Sequence, residues 1–545
     1  MDIKIINDSF SISAQISLDD LDTLVARGVE VLICNRPDKE AADQPSFANI
    51  QTAASARGLT ALQIAFKPDN LNRELASRFG NVVNTGKKIH AYCRTGNRSV
   101  NIWAVAQLNQ GKPLGLVVSE AAVSGFEVAA TLHQAEQTSL AKTNSFDVVI
   151  VGAGSGGIAS AASIRKRNRQ LRIALIDPSE SHYYQPGWTM VGAGVFKPEI
   201  TRRAMRNLIP EGITWLKQSV VSFEPKQNRI FLEDGNLVNY QQLVVSSGLK
   251  LNWSAIEGLE ETLGRNGVTS NYRYDLAPYT WELVRGLRSG KAVFTQPSMP
   301  IKCAGAPQKV MYLSADYWLR SRVLNKISID FHNAGGVLFG IAYYVPALMS
   351  YVERYKANLH FGETLIKVDG EQHKAWFTCK DDTGMTTETC VDFDILHVCP
   401  PQCAPDFISS SPLADANGWL DVDPKTLRHK RFKNIWGLGD ACNAPNAKTM
   451  AAVRKQAPVV ARNLLNALRS KPEEAEYDGY GSCPLTVERG KVVLAEFGYG
   501  GKLLPTFPAW LNNSANATRF AWILKTYALP AVYWQLMLKG REWLT

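Results

Sequence analysis

The stretch from Phe146 to Asp177, FDVVIVGAGSGGIASAASIRKRNRQLRIALID, restricts the fold more than any other part of the chain. It begins with Val148, Val149, Ile150 and Val151, the apolar, β-branched pattern of a parallel strand buried on both faces. Gly152, Gly154 and Gly157 follow at G-x-G-x-x-G spacing, with Ser155 and Gly156 between them. Ala159, Ala161 and Ala162 then mark a small-residue helix. The first glycine permits the tight turn, the second lets backbone approach a pyrophosphate, and the third lets helix and strand pack closely. The helix N-terminus offers its unpaired N–H groups to phosphate. A second strand, Leu171 to Ile176, ends on Asp177, about 20 residues past the glycines, where an acid accepts hydrogen bonds from ribose hydroxyls. This order predicts a dinucleotide site built from Gly152, Gly154, Ser155, Gly156, Gly157 and Asp177.

At 545 residues the chain exceeds one core, and about two to four domains are expected. A net charge of +10 without a dense basic run reads as general surface charge or attraction to anionic lipid, not nucleic-acid binding. The first 30 residues carry Asp2, Asp8, Asp19 and Asp20 and no apolar core, unlike a signal or transit peptide. No apolar run reaches the roughly 18 residues of a membrane span. Nine cysteines in an unexported chain suggest reduced or catalytic thiols. Cys399 and Cys403 have no companion ligands nearby in sequence, so no metal site is expected.

Residues 1 to about 130 form a unit of their own, with helices expected over Ala14–Arg27 and Ser46–Arg57 and strands over Val29–Cys34 and Leu59–Phe66. The apolar lead-in Ile89 to Tyr92 is followed by Cys93-Arg94-Thr95-Gly96-Asn97-Arg98, then a helix from Val100 to Leu108. A cysteine between a strand and a helix sits in an anion cradle, where loop N–H groups and Arg98 favour negative charge. Four residues separate Cys93 from Arg98, as in rhodaneses; in cysteine-based phosphatases the interval is one residue longer. The shorter loop suits a persulfide better than a phosphate, although phosphatase activity and a vestigial fold stay open. This unit resembles the DUF442 family, phosphatase-like domains with a rhodanese-type loop. Cys34 reads as a core thiol, and residues 131–144 as a linker.

Beyond Asp177, no cysteine pair follows the glycine motif, unlike the glutathione-reductase type. Val244-Val245-Ser246-Ser247-Gly248 has the form of a crossover between two nucleotide domains. The segments HYYQPGWTMVGAG, KCAGAPQK, LHVCPP, GLGDACNAPNAKT and YDGYGSCPL are dispersed from Asp147 to the C-terminus. On these motifs the chain resembles the type II, eukaryotic-like sulfide:quinone oxidoreductases of the FAD/NAD-linked disulfide reductase superfamily. Lys302 and Lys309 flank Cys303 and favour its thiolate. The resemblance implies that Cys303 and Cys483 meet at an FAD, that hydrogen sulfide attacks their sulfur bridge, and that Cys483 carries the persulfide. Cys303 is then the thiolate that gives electrons to the flavin, and ubiquinone takes them up. It extends the cofactor contacts to Gln185, Gly439, Asp440 and Lys448, with Asp440 on the ribityl hydroxyls and a cation or helix dipole, before Met450–Leu468, stabilising reduced flavin. Cys93 and Arg98 are expected to accept or transfer the sulfane sulfur. A thiol such as glutathione is the expected final acceptor.

The implied fold is α/β: a phosphatase-like domain (1–130), then a two-dinucleotide-domain, Rossmann-type flavoprotein with a C-terminal amphipathic helical tail. Its FAD domain spans 145–265 and 396–470, its second nucleotide domain 266–395, and its redox-cysteine and membrane region 471–545. Ile327 to Asn333 is expected to open the second nucleotide domain, with strands Leu359–Gly362, Ala375–Cys379 and Asp392–His397 completing it. After it Gly335, Gly336 and Gly340 are misplaced for a phosphate turn and Leu338 and Phe339 intrude, so the NAD site is expected to be lost. In the tail, Phe520, Ile523, Leu524 and Tyr527, and then Leu529, Val532, Tyr533, Leu536 and Met537, keep helical spacing on either side of a break at Pro530. Trp510, Trp522, Trp534 and Trp543, with Arg519, Lys525, Lys539 and Arg541, suit a lipid headgroup boundary. The alternative is a hairpin packed on the protein's own core. The expected location is peripheral, on the cytoplasmic face of a bacterial inner membrane, and compatible with a homo-oligomer. Two rivals stay open, a phosphatase or sulfur-sensing module on a flavoprotein and an NAD(P)H-dependent disulfide reductase.

Overall fold

The computed structural model describes residues 1–71, 73–110, 112–129, 131–132, 144–380 and 385–542. Most of the expected linker, and Trp543, lie outside them. The chain divides into two compact units, residues 1–145 with 218–221 and 229–239, and the remainder.

The first unit is built on a five-stranded sheet in the order Ile3–Asn7, Phe10–Ser13, Ile89–Tyr92, Val31–Cys34, Thr60–Gln63. The first two strands form an antiparallel hairpin, and the pairings of the last four are parallel. That hairpin was not anticipated. The first helix covers only Asp20–Ala26, not Ala14–Arg27. Ser17 N and Oγ both donate to the Asp20 carboxylate at 2.8 Å, and Asp20 N donates back to Ser17 Oγ. This reciprocal cap fixes where the helix starts. Ser46 caps Phe47–Ser55 by accepting from Asn49 N. Ile89–Tyr92 is buried throughout and central, so Cys93 leaves the sheet from its middle. Trp103, on helix Asn97–Asn109, stacks on Phe10, and Phe10 meets Phe79 edge-on.

In the second unit, strand Asn144–Val151 runs parallel to Ile173–Ile176, which pairs in parallel with Ile213–Leu216. Leu237–Val245 lies on the other side and pairs in parallel with Ile435–Gly437, so a segment far along the chain returns to the first sheet. Helix Ser155–Arg167 follows the glycine turn.

A second, all-parallel sheet has the order Val268–Thr269, Ile395–His397, Gly290–Gln296, Ile327–Asn333, Asn358–Phe361. After strand Val268–Thr269 and helix Leu276–Gly286, the chain runs through a strand–helix–strand unit, Gly290–Gln296, helix Ala306–Arg320, Ile327–Asn333. Ile327–Asn333 is therefore the second strand of that unit and not its first. The position of a nucleotide phosphate turn falls on the loop carrying Cys303. Leu338 and Phe339 are buried in the apolar core beside helix Val345–Tyr355. An antiparallel sheet of Thr364–Asp369, Lys374–Lys380 and Thr386–Asp392 follows.

Strands Gly481–Glu488 and Lys491–Phe497 form an antiparallel hairpin. Leu485 and Val487 share a buried cluster with Val310 and Met311 of helix Ala306–Arg320. Helical backbone then runs without interruption from Arg519 to Lys539, partly with the wider π winding, so Pro530 does not break it. In a π segment the ladder is re-registered, which accommodates the N–H that proline lacks. Among the described residues, no helix is long and apolar enough to cross a membrane.

The tightest backbone approach is at the glycine turn, where a Cβ on Gly157 would lie 1.7 Å from the Gly152 carbonyl oxygen. Gly157→Ala should destabilise the second unit by about 1–3 kcal/mol or more, read as a lower denaturant midpoint for that unit. An unchanged midpoint would mean the turn does not pack as described.

Candidate active site

One cleft of about 390 Å³ gathers most of the expected site. Gly152, Gly154, Ser155, Gly156 and Asp177 line it from the first sheet, Gln185 from the segment that follows, and Gly439, Asp440 and Lys448 from the returning segment; Cys303 and Lys309 line it as well. Cys483 is not part of that lining, but its neighbours Ser482 and Pro484 are. Gly157 sits behind the turn, against Gly152.

The wall is shaped for a large polar ligand. A Cβ on Gly154 would meet nothing within 4 Å, so this backbone faces open space, whereas a Cβ on Gly152 would strike Ser246 backbone at 2.6 Å. Asp177 accepts from Ala153 N at 2.7 Å and Ser179 N at 2.8 Å, which holds the carboxylate at the rim of the turn. The hydroxyls of Ser246 and Ser247, the Asn271 amide and Trp188 Nε1 are buried without a partner. Unsatisfied buried polar groups are costly and rare, so their concentration along one cleft marks groups that await a ligand. A dinucleotide with its pyrophosphate on the turn fits these donors and acceptors.

Near the other end are the two sulfurs. Cys303 Sγ and Cys483 Sγ lie 3.2 Å apart, against about 2.05 Å for a disulfide bond. Lys309 Nζ donates to Cys303 Sγ at 3.2 Å. The hydrogen bond from Cys483, then the charge of Lys309, hold the Cys303 thiol well below its usual range. The same bond and burial push Cys483 well up. Gly305 makes the approach feasible: a Cβ there would lie 2.7 Å from Cys483 Sγ and 2.3 Å from Leu485. Cys303 takes φ +81°, a left-handed conformation that costs a non-glycine residue about 1–3 kcal/mol and that clusters at functional sites.

Three lysines surround this centre with different tasks. Lys302 Nζ donates to Gln185 Oε1 at 2.5 Å and lies over the rings of Trp188 and Tyr272. Lys448 donates to the carbonyls of Asp440 and Cys442, both at 2.8 Å, and packs on the Trp419 ring, bracing the loop before helix Met450–Leu468. Lys525 was expected at a headgroup boundary but is only 4% exposed and lines the cleft. Burial, then repulsion from Lys309, bring its ammonium down to about 7. Its spacing from Ala521 and Leu529 placed it on the inward helix face, and that periodicity was the available signal.

The tail also reaches the glycine turn. Tyr533 OH lies 2.8 Å from Ser155 Oγ and 2.5 Å from His182 Nε2. Burial lowers His182 to about 4, so it is neutral; its Nδ1–H donates to Ala153 O at 3.0 Å and Nε2 accepts from Tyr533. Trp534 is buried under Arg203 and does not face solvent. Trp510, Ile523 and Tyr527 do, at 84%, 57% and 70% exposure. Cys399 and Cys442 are buried thiols that burial pushes up, Cys399 to about 12, and neither matches the charge environment of Cys303.

In the first unit, Cys93 Sγ accepts from Gly96 N at 3.2 Å at the start of helix Asn97–Asn109. Arg98 donates through both terminal nitrogens to Glu40 at 2.7 Å, and through one to Phe66 O. Arg98 and Arg36 hold the Glu40 carboxyl at about 2. Sequence reasoning missed Glu40, which lies 58 positions from Arg98 and in no local motif.

Comparison with known proteins adds two family matches. A model described as the phosphatase-like domain of beta-lactamase hydrolase-like protein matches residues 2–110, and one for pyridine nucleotide-disulphide oxidoreductase matches residues 146–284. The mitochondrial sulfide:quinone oxidoreductase of Dictyostelium discoideum is 40% identical over 397 residues, 72% of this chain and 86% of that protein. Its Mus musculus counterpart is 36% identical, covering 73% and 87%. The X-ray structure of the sulfide:quinone oxidoreductase from Aquifex aeolicus has a similar fold, with a TM-score of 0.59 at 20% identity, over 73% of this chain and 92% of that one.

Lys525 should supply positive charge to the sulfur centre below about pH 7 and lose it above. In Lys525→Met, kcat/KM for a small sulfur anion should fall by roughly tenfold near pH 6, and the wild-type-to-variant ratio should approach one as pH rises through 7. Ionisation of the substrate cancels in that ratio. A ratio flat in pH would contradict the assignment.

Proposed function

Because the chain belongs to the sulfide:quinone oxidoreductase family, FAD-dependent enzymes that oxidise sulfide and reduce a quinone, we propose that Cys303 and Cys483 carry its sulfur chemistry. The observation behind this is the 3.2 Å approach of two thiols 180 positions apart, with a lysine ammonium on one of them. The open Gly154 backbone and the unpartnered Ser246, Ser247 and Asn271 groups fit the FAD pyrophosphate and its surroundings, with Asp177 toward the ribose. Gln185, Asp440 and Lys448 belong to the same lining. FAD supplies a two-electron relay between the sulfur pair and the quinone.

The residues divide the work by charge. With the pair oxidised to a disulfide, hydrosulfide attacks Cys483 sulfur, an S–S bond forms there as a persulfide, and the old bridge breaks with Cys303 leaving as thiolate. Lys309 stabilises that leaving group, which makes Cys303 the better sulfur to expel. Lys525, protonated below about pH 7, draws the anion in. A thiolate acceptor then takes the outer sulfur from Cys483 and leaves a thiol there, and removal of one electron pair and one proton from this thiol and the Cys303 thiolate re-forms the bridge. Quinone reduction makes the cycle run forward.

Cys93 is the next sulfur acceptor in this scheme, directly or through a carrier such as glutathione persulfide. Its short loop, with one backbone N–H on sulfur and Arg98 already held by Glu40, supports a small sulfane cargo over a bulky phosphate. The exposed Trp510, Ile523 and Tyr527, close in sequence to cleft-lining Phe507 and Leu524, support docking on the membrane surface that holds the quinone.

Excess anaerobic sulfide, in which a second hydrosulfide can take the outer sulfur from Cys483, should bleach the yellow protein, and decylubiquinone should restore its colour. Cys303→Ser and Cys483→Ser should each slow sulfide-driven bleaching by about three orders of magnitude or more. Cys93→Ser should leave the bleaching rate intact and change the sulfur product released to a thiol acceptor. Bleaching by NADH and not by sulfide would contradict the proposal, and unchanged products in Cys93→Ser would remove the first unit from the relay.

A further inference from the structure

The C-terminal segment grips helix Ser155–Arg167, which follows the glycine turn, at both of its ends. At the far end Glu542 accepts from Ser163 Oγ at 2.7 Å and from the two terminal nitrogens of Arg167 at 2.5 and 2.7 Å. Lys166 Nζ donates to Gly540 O at 3.3 Å. A Cβ on Gly540 would lie 2.7 Å from Ala162 O, and its φ is +62°, so only glycine allows the two backbones to meet here. At the near end the contact is a single chain of hydrogen bonds. Burial keeps His182 neutral, and its Nδ1–H donates to Ala153 O at 3.0 Å, so Nε2 takes the Tyr533 proton at 2.5 Å. With that proton committed, the Tyr533 oxygen accepts from Ser155 Oγ at 2.8 Å. The chain therefore starts on Ser155 and ends on Ala153, on either side of Gly154, and its middle link belongs to the tail.

We propose that Tyr533 is a positioning residue for the flavin, and that the tail carrying it is a clasp which sets how tightly the cofactor is retained. The proposal rests on the reading of the cleft as the FAD site. Gly154 is the point where the turn faces open space, and the bonds to Ala153 and Ser155 fix the backbone on both sides of it. A turn already held in its binding conformation loses less freedom when a pyrophosphate arrives, so affinity rises without a new contact to the ligand. Filling the space beneath the turn would need only a phenyl ring. Tyr533 is fully buried, packed against Tyr184 at 4.8 Å and Trp534 at 4.9 Å, and its hydroxyl is aimed at two polar partners. The same segment supplies Leu524, Lys525, Leu529 and Val532 to the cleft wall, so its release would open the cofactor to solvent. Linkage makes the effect mutual: a flavin held by the turn holds the tail by the same free energy.

Release of FAD from the full-length holoenzyme, followed by the rise of free-flavin fluorescence after dilution, tests this without reference to turnover. Tyr533→Phe keeps the ring and removes the hydroxyl, and Ser155→Ala keeps the backbone N–H and removes the partner. Each should speed release by about tenfold, the effect of one buried hydrogen bond. The double variant should be no faster than either alone, because both cut the same chain. Trypsin should cut the wild type at Lys525, only 4% exposed, many-fold more slowly with FAD than after its removal, and this protection should shrink in Tyr533→Phe. Glu542→Gln loosens the far end of the tail and leaves the bonds at the turn intact. It should also speed release, which keeps the clasp testable if the phenylalanine variant fails to fold. Release unchanged in Tyr533→Phe and Glu542→Gln, additive effects in the double variant, or trypsin cleavage indifferent to FAD would each overturn the proposal. A wild-type protein that retains no FAD would instead remove the cofactor reading of the cleft, and the clasp with it.

Discussion

The proposed chemistry depends on one contact, the approach of Cys303 to Cys483 beside Lys309. Two thiols so close cannot both ionise in a buried setting, so one proton stays between them and the lysine decides which sulfur is the anion. The fold enforces the contact through three local facts. Cys303 adopts a left-handed turn, Gly305 leaves no side chain in the path of Cys483, and Leu485 and Val487 lock the hairpin onto helix Ala306–Arg320.

The two nucleotide-type sheets have been put to different uses. The first keeps its phosphate turn, and the glycines there are forced by backbone approaches that no side chain tolerates. In the second, the loop between strand Gly290–Gln296 and helix Ala306–Arg320 carries Cys303, the proposed redox cysteine. One topology thus supplies a cofactor crevice and a reactive sulfur that face a common cleft. The C-terminal helix closes that cleft with Lys525 and reaches the glycine turn through Tyr533.

Much of this was legible in the sequence where chemistry is local. The glycine turn announced itself by spacing, and Cys303 through the family resemblance carried by KCAGAPQK. Helix Met450–Leu468 was read to the residue. What stayed hidden depended on distance along the chain. Glu40 meets Arg98 only once the sheet is assembled. Lys525 reads in sequence as an interfacial charge because lysine usually is one, although its helical phase puts it inside. Ile327–Asn333 reads in sequence as an opening strand because glycines follow it, whereas strand Gly290–Gln296 and helix Ala306–Arg320 come before it in the same sheet. The Pro530 break failed because π winding absorbs a proline.

The proposed route requires sulfur to attach to one thiol of the pair. Flavin-loaded protein given one equivalent of sulfide without oxygen or acceptor thiol, alkylated and digested, reports the position of the added atom by mass spectrometry. An extra sulfur on the peptide holding Cys483, with Cys303 alkylated as a plain thiol, is the predicted result. The extra sulfur on Cys303, or on neither cysteine, would contradict it.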